Sequence, residues 1–126
     1  MSSSNLFHYR STVVRVVDGD TIDVLIDLGF DISLKERIRL VGINTPESRT
    51  RDLEEKARGL AAKDFVVEWL LNEVDNCPVI ETTKDKAGKF GRILGRVLTD
   101  DGVCLNDILV TEGHAVVYEG GKREYG

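Results

Sequence analysis

The chain has 126 residues and a mass of 14.0 kDa, which suits one domain. Hydrophobic residues make up 41% and charged residues 31%, an ordinary globular balance that excludes disordered, collagenous and fibrous architectures. Seventeen Lys and Arg against 22 Asp and Glu leave a net charge of −5, so a polyanionic partner would have to be met at a local basic site, with a cation correcting the field.

Residues 1–11, which include the serine run Ser2 to Ser4, are expected to form a flexible arm, and 12–126 a single domain. Met-Ser-Ser-Ser-Asn-Leu-Phe-His lacks the apolar core of a secretion signal. No apolar run approaches the ~18 residues that cross a bilayer. The expectation is a cytoplasmic monomer without a membrane partner. Thr12 to Val17 is β-branched and predicts a strand, and Asp18-Gly19 follows as a hairpin signal. Thr21 to Leu28 alternates, with Ile22, Val24, Ile26 and Leu28 on one face and Asp23 and Asp27 on the other. A third strand is expected over Arg37 to Ile43, which makes a meander of three.

A long helix follows, capped by Thr50 or Asp52 and stopped by Asn76-Cys77-Pro78. Leu53, Ala57, Leu60, Ala61 and Phe65 fall at helical spacing and are expected to face the core, with the end (Val66, Val67, Trp69, Leu70, Leu71) buried more deeply. Val79 to Thr83 and Ile93 to Thr99 read as strands. Leu105 to Glu112 reads as a short helix ended by Gly113, and Ala115 to Tyr118 as a last strand. Short antiparallel strands around one good helix predict a small closed barrel, mainly β in an α+β sense, rather than a βαβ sheet. Aromatic residues are 6% of the chain, so the core must rest on Val, Ile and Leu. The two cysteines, Cys77 and Cys104, lie far apart, which fits neither a disulfide scaffold nor a zinc site and suits a reducing compartment.

Four islands carry polar residues that this apolar pattern does not need: Asp18 to Thr21, Arg39 to Glu47, Lys89 to Arg92, and Gly113 to Tyr118. Asp20 lies where a turn becomes a strand, so rigid backbone can hold its carboxylate in a site, and a hard divalent cation needs such oxygen ligands. The alternative, a carboxylate that only shapes the turn, is taken for Asp18. Arg39 sits among Ile38, Leu40 and Val41 and must have a partner, either a phosphate or an internal carboxylate. Arg92 follows a glycine; guanidinium forks bind phosphate oxygens in pairs and stay charged. Glu47 is aimed by the fixed φ of Pro46, either at a water whose proton it can accept or at bulk solvent. Lys84, Lys86 and Lys89 form a basic loop that could follow a phosphate backbone. Tyr118 could stack on a base or pack in the barrel. His114 has no Ser, Cys or Asp arranged around it for nucleophilic work.

In order and in wording, these islands resemble the staphylococcal-nuclease-like (thermonuclease) family: an Asp-Gly-Asp-Thr turn, an Arg-Leu strand leading to Asp/Asn-x-Pro-Glu, then Tyr/Phe-Gly-Arg. The match runs from about residue 12 to 118. The resemblance implies an OB-fold-like five-stranded barrel with a long helix between its third and fourth strands. It implies a calcium-dependent nuclease acting on DNA, with RNA left open as a further substrate, single strands preferred, that leaves 3′-phosphates. Asp20, Asn44 and Thr45 would hold Ca²⁺. Glu47 would serve as general base or water positioner, Arg39 and Arg92 would stabilise the five-coordinate transition state, and Lys89, Phe90 and Tyr118 would bind substrate.

The chain departs from the pattern in places. Asn44 stands where many members have a second Asp, and Phe90 replaces the usual Tyr. The short, Gly-rich stretch from Glu119 to Gly126 is not expected to form the C-terminal helix of secreted members, and their secretion signal is not expected either. The rival reading is an inactive module of the same family that binds nucleic acid or a protein; such copies tend to lose the Asp, Arg and Glu positions, and Asp20, Arg39, Glu47 and Arg92 are all present here.

Overall fold

The computed structural model describes residues 7–82 and 93–118. Strands β1 (Phe7–Asp18), β2 (Thr21–Asp27) and β3 (Ser33–Leu40) form the expected antiparallel meander. A two-residue strand β4 (Ile43–Asn44) leads to helix α1 (Leu53–Val74). Then come β5 (Val79–Thr82), β6 (Ile93–Leu98), helix α2 (Leu105–Thr111) and a second two-residue strand, β7 (Val116–Val117). The order β1-β2-β3-β6-β5 closes on itself as a five-stranded barrel, with β3 and β6 parallel and the other neighbours antiparallel. β4 and β7 pair outside it, Ile43 opposite Val117.

The interior follows from the alternation along the strands. Ile22, Val24, Ile26, Ile38, Leu40, Ile80 and Val97 point inward, and α1 and α2 cap them with Val66, Trp69, Leu70, Leu105 and Leu109. Among the described residues, Trp69 is the one ring in that buried cluster, so aliphatic packing carries the core. Asn106, buried at the start of α2, ties the cap down: its Oδ1 accepts from Val97 N at 3.2 Å and its Nδ2 donates to Val41 O at 2.9 Å. Among the described residues, no helix is long and apolar enough to cross a membrane.

Three expectations are corrected. The strand expected from Thr12 begins at Phe7, because residues 7–10 pair with Val79–Thr82 and so close the barrel. Register shifts at Val13/Arg15 and Val16/Asp18 bend β1, and one long strand then serves β5 with its first half and β2 with its second. His8, placed in a loose arm by the sequence, stands 3.2 Å from the Glu81 carboxylate. The third strand spans Ser33–Leu40 rather than Arg37 to Ile43; Gly42, at φ +86°, turns the chain away after it. The face of α1 is corrected in part: Val66, Trp69 and Leu70 are buried as expected and Phe65 packs against the core, but the other expected core positions face outward. Gly59, Ala62, Val66, Trp69 and Leu70 are buried, whereas Leu53, Ala57, Leu60, Ala61, Val67 and Leu71 are exposed. Asp52 is the N-cap, accepting from the amides of Glu54 and Glu55, and Asp75 ends the helix in the left-handed region at φ 53°.

Asp23 and Arg37 face each other across β2 and β3, with Arg37 Nε donating to Asp23 Oδ1 at 2.7 Å and Nη2 to Oδ2 at 3.1 Å. This forked bond holds the Asp23 carboxyl below its ordinary value of 3.8, against the opposing effect of burial. A depressed folded pKa adds stability above the unfolded value, and that stability disappears as pH falls through the folded value. Asp23→Asn is therefore expected to be less stable than the parent at neutral pH, with the difference vanishing below the carboxylate range. Urea midpoints measured for both proteins down through that range check it; a gap that does not change with pH contradicts it.

Candidate functional site

The turn between β1 and β2 and the end of β3 feed one open cleft of about 1400 Å³ beside the barrel. Thr21 pairs with Arg39 across β2 and β3, and Leu40 N donates to Asp20 O at 2.8 Å, so the Asp20 turn and the end of β3 are fixed side by side. Because Ile38 and Leu40 face the core, alternation turns Arg39 to the opposite face, toward Asp20. Its Nη1 donates to the carbonyls of Leu40 (2.7 Å) and Ile43 (2.9 Å), its Nη2 donates to Asn44 Oδ1 (2.6 Å), and Nη1 lies 3.6 Å from Asp20 Oδ2. The guanidinium thus shapes the loop between β3 and β4 as well as carrying charge to the cleft.

Asp20 accepts from the Thr21 hydroxyl at 3.0 Å and from Thr45 N at 3.2 Å. Thr45 Oγ1 is buried and, among the described residues, has no hydrogen-bond partner. Glu47 is exposed at the rim, with its backbone N–H donating to Glu55 Oε2 at 3.2 Å. The next residue, Ser48, is buried and donates its hydroxyl to Asp18 Oδ1. On the far side, Tyr118 N donates to Gly42 O at 2.8 Å, which sets Tyr118 at the cleft wall, and His114 also lines the cleft. The His114 ring packs on Phe65 with centroids 4.9 Å apart.

The cleft therefore gathers Asp20, Arg39, Asn44, Thr45, Glu47 and Tyr118. Lys89, Phe90 and Arg92, together with Lys84 and Lys86, lie outside the described residues. Asp20 Oδ, Asn44 Oδ1 and the unpartnered Thr45 Oγ1 are hard oxygen donors, the chemistry that a calcium-type cation takes. An amide oxygen has two lone pairs, so Asn44 can accept from Arg39 and still face a cation. The charge in this donor set is one carboxylate, and among the described residues no group of three His, Cys, Asp or Glu converges as a metal cluster. By the kind of its oxygens, the donor set fits a hard cation.

Residues 37–125 match the family model described as "Staphylococcal nuclease homologue". The chain belongs to that family. It is 35% identical over 107 residues to an uncharacterized endonuclease of Escherichia coli, covering 85% of this chain and 60% of that protein. It is 36% identical over 114 residues to the thermonuclease of Staphylococcus intermedius, covering 90% of this chain and 62% of that one. A micrococcal nuclease of Shigella flexneri is 31% identical over 118 residues, covering 87% of this chain and 59% of that protein. The chain spans about 60% of the length of these curated relatives.

Within this member of the family, sequence reasoning missed the residues that hold the acidic side chains in place. Asp18, read as a turn former, clamps Ser48. Gly19 is not at a left-handed φ; it is small because a Cβ there would stand 2.9 Å from Ala62 Cβ. Gly59 occupies the middle of α1, where glycine costs about 0.5–1 kcal/mol relative to alanine. That cost was the one signal in the sequence of a close approach.

Proposed function

We propose that this chain is a calcium-dependent phosphodiesterase that hydrolyses DNA, with RNA as a second substrate, prefers single strands, and leaves 3′-phosphates. The observation that carries the reading is the convergence of Asp20, Arg39, Asn44, Thr45 and Glu47 on one open cleft. Among the described lining residues, the carboxylates Asp18, Asp20, Glu47 and Glu55 outnumber the guanidiniums of Arg39 and Arg58. A phosphodiester entering such a lining needs a cation to offset repulsion. Asp20, Asn44 and Thr45 would hold that cation. When bound, calcium supplies positive charge against the phosphate and acidifies a neighbouring water.

The chain's own groups perform the rest. Glu47, at the exposed rim, orients the attacking water and accepts its proton. Arg39 directs its positive charge at the phosphate oxygens as negative charge accumulates, and Arg92 is assigned the same part by the family pattern. Lys89 and Phe90 are assigned to substrate in the same way, and Tyr118 offers a ring to an unstacked base, which favours single strands over a duplex. The free thiols of Cys77 and Cys104 suit a reducing, cytoplasmic setting. Digestion of a synthetic single-stranded oligonucleotide followed by mass spectrometry tests the reaction. Fragments ending in 3′-phosphate and beginning in 5′-hydroxyl are expected with calcium and none with chelator; oligonucleotide retention without fragments would favour the inactive binding module.

Asn44→Asp is expected to tighten calcium binding. One more charge at ligand distance is worth ~1–4 kcal/mol between bulk-water and partly screened limits. Repulsion from Asp20 and a new ion pair with Arg39, whose Nη2 already sits 2.6 Å from this side chain, consume part of it. The expected gain is about tenfold in affinity, close to 1.4 kcal/mol. Calorimetric titration of both proteins at equal ionic strength with a nucleotide present measures it, and unchanged or weaker binding would remove residue 44 from the ligand set.

A further inference from the structure

The two acid-bearing turns of the cleft rest on one face of α1. A Cβ built at Gly59 would stand 2.4 Å from Glu47 O, 2.5 Å from Glu47 C and 2.7 Å from Ser48 N, all backbone atoms of the loop that carries the rim carboxylate. Three residues further along the helix, Ala62 meets the Asp18-Gly19-Asp20 turn, where a Cβ on Gly19 would fall 2.9 Å from Ala62 Cβ and 3.1 Å from Thr45 Cγ2. Positions three apart lie on one helix face, so the size of these two residues sets how far each turn stands from the helix axis. Contacts of that length with backbone cannot be relieved by a rotamer change; the Glu47–Ser48 peptide has to move.

We propose that Gly59 is a positioning residue: its bare α-carbon is the surface on which the Glu47–Ser48 peptide rests, and it thereby fixes where the Glu47 carboxylate stands relative to Asp20. Two bonds hold the peptide down on that surface, Glu47 N to Glu55 Oε2 from the first turn of α1 and the Ser48 hydroxyl to Asp18 from the neighbouring turn. The helix thus acts as a gauge between the carboxylate that handles the water and the carboxylate that faces the cation. This rests on the nuclease reading of the cleft. It accounts for a glycine inside a 22-residue helix, where alanine is the better helix former.

The test is Gly59→Ala, with kcat and KM measured on a single-stranded oligonucleotide in the parent and in the Glu47→Gln background. A displacement of about 1 Å at a catalytic group can cost about 10²-fold in rate, so kcat is expected to fall by about 10²-fold with KM unchanged. Because the effect passes through Glu47, the same change added to Glu47→Gln should cost little more. Parental kcat in Gly59→Ala, or a full additional loss in the Glu47→Gln background, overturns the proposal. If Gly59→Ala does not fold, Ser48→Ala releases the same peptide without any added atom; a lowered kcat at constant KM supports the device and a parental kcat overturns it. If the parent protein hydrolyses no nucleic acid, the nuclease reading fails by itself. The backbone amide resonances of Glu47 and Ser48 then decide the packing: displaced in Gly59→Ala they support it, and unmoved they overturn it.

Discussion

Glu47→Gln is expected to fold like the parent and to lose ~10²–10⁴-fold of the single-turnover rate of DNA hydrolysis, the range that a general base contributes. Gln matches Glu in size, and the side chain is exposed at the rim, so packing does not change. The backbone N–H of residue 47 keeps its bond to Glu55, and Ser48 keeps its bond to Asp18, so the loop stays where α1 holds it. The loss should therefore appear in kcat at constant KM and constant unfolding midpoint. Less than a tenfold loss in a single-turnover assay would show that the carboxylate is dispensable and that water is activated without it.

The second large effect belongs to Arg39. Arg39→Ala is expected to lower the rate by about 10²–10³-fold, as removal of a donor to developing oxyanion charge does. It should also weaken the fold, unlike the Glu47 change. Nη1 and Nη2 together satisfy the carbonyls of Leu40 and Ile43 and the Asn44 amide, and hydrogen bonds from a charged donor are worth about 1.5–3 kcal/mol each. Arg39→Lys separates the two contributions: it retains the charge and cannot reproduce the fork across the loop. Rate and urea midpoint measured together for Ala and Lys variants check this. A normal midpoint in Arg39→Ala would contradict the loop role, and a normal rate would contradict the charge role.

Asp20, Arg39 and Glu47 were legible because each interrupts a pattern. A carboxylate at a strand entrance, a guanidinium between two inward-facing aliphatics and a Glu fixed by a proline have no place in a plain amphipathic reading. The barrel was legible for a similar reason, since Ile22, Val24 and Ile26 alternate cleanly and fill its interior. The orientation of α1 was legible only toward its end, where Val66, Trp69 and Leu70 are buried as expected. Leu53, Leu60, Val67 and Leu71 form an outward apolar stripe opposite Gly59, Ala62, Val66 and Leu70, and periodicity alone cannot choose between two apolar faces. The start of β1 was hidden because Phe7 to Arg10 are ordered by pairing with β5, about 70 residues away, through contacts that no local window contains. The same holds for Ser48 and Gly59, whose parts depend on which distant backbone presses on them.

The central claim is that this cleft breaks phosphodiester bonds with the help of a cation. It is tested most directly by single-turnover cleavage of an end-labelled single-stranded oligonucleotide by the parent protein across a series of buffered free calcium concentrations. The account predicts a rate that rises from background to a plateau with calcium, collapses on chelation and recovers when calcium is returned. Binding of the oligonucleotide with no cleavage at any calcium concentration would contradict it.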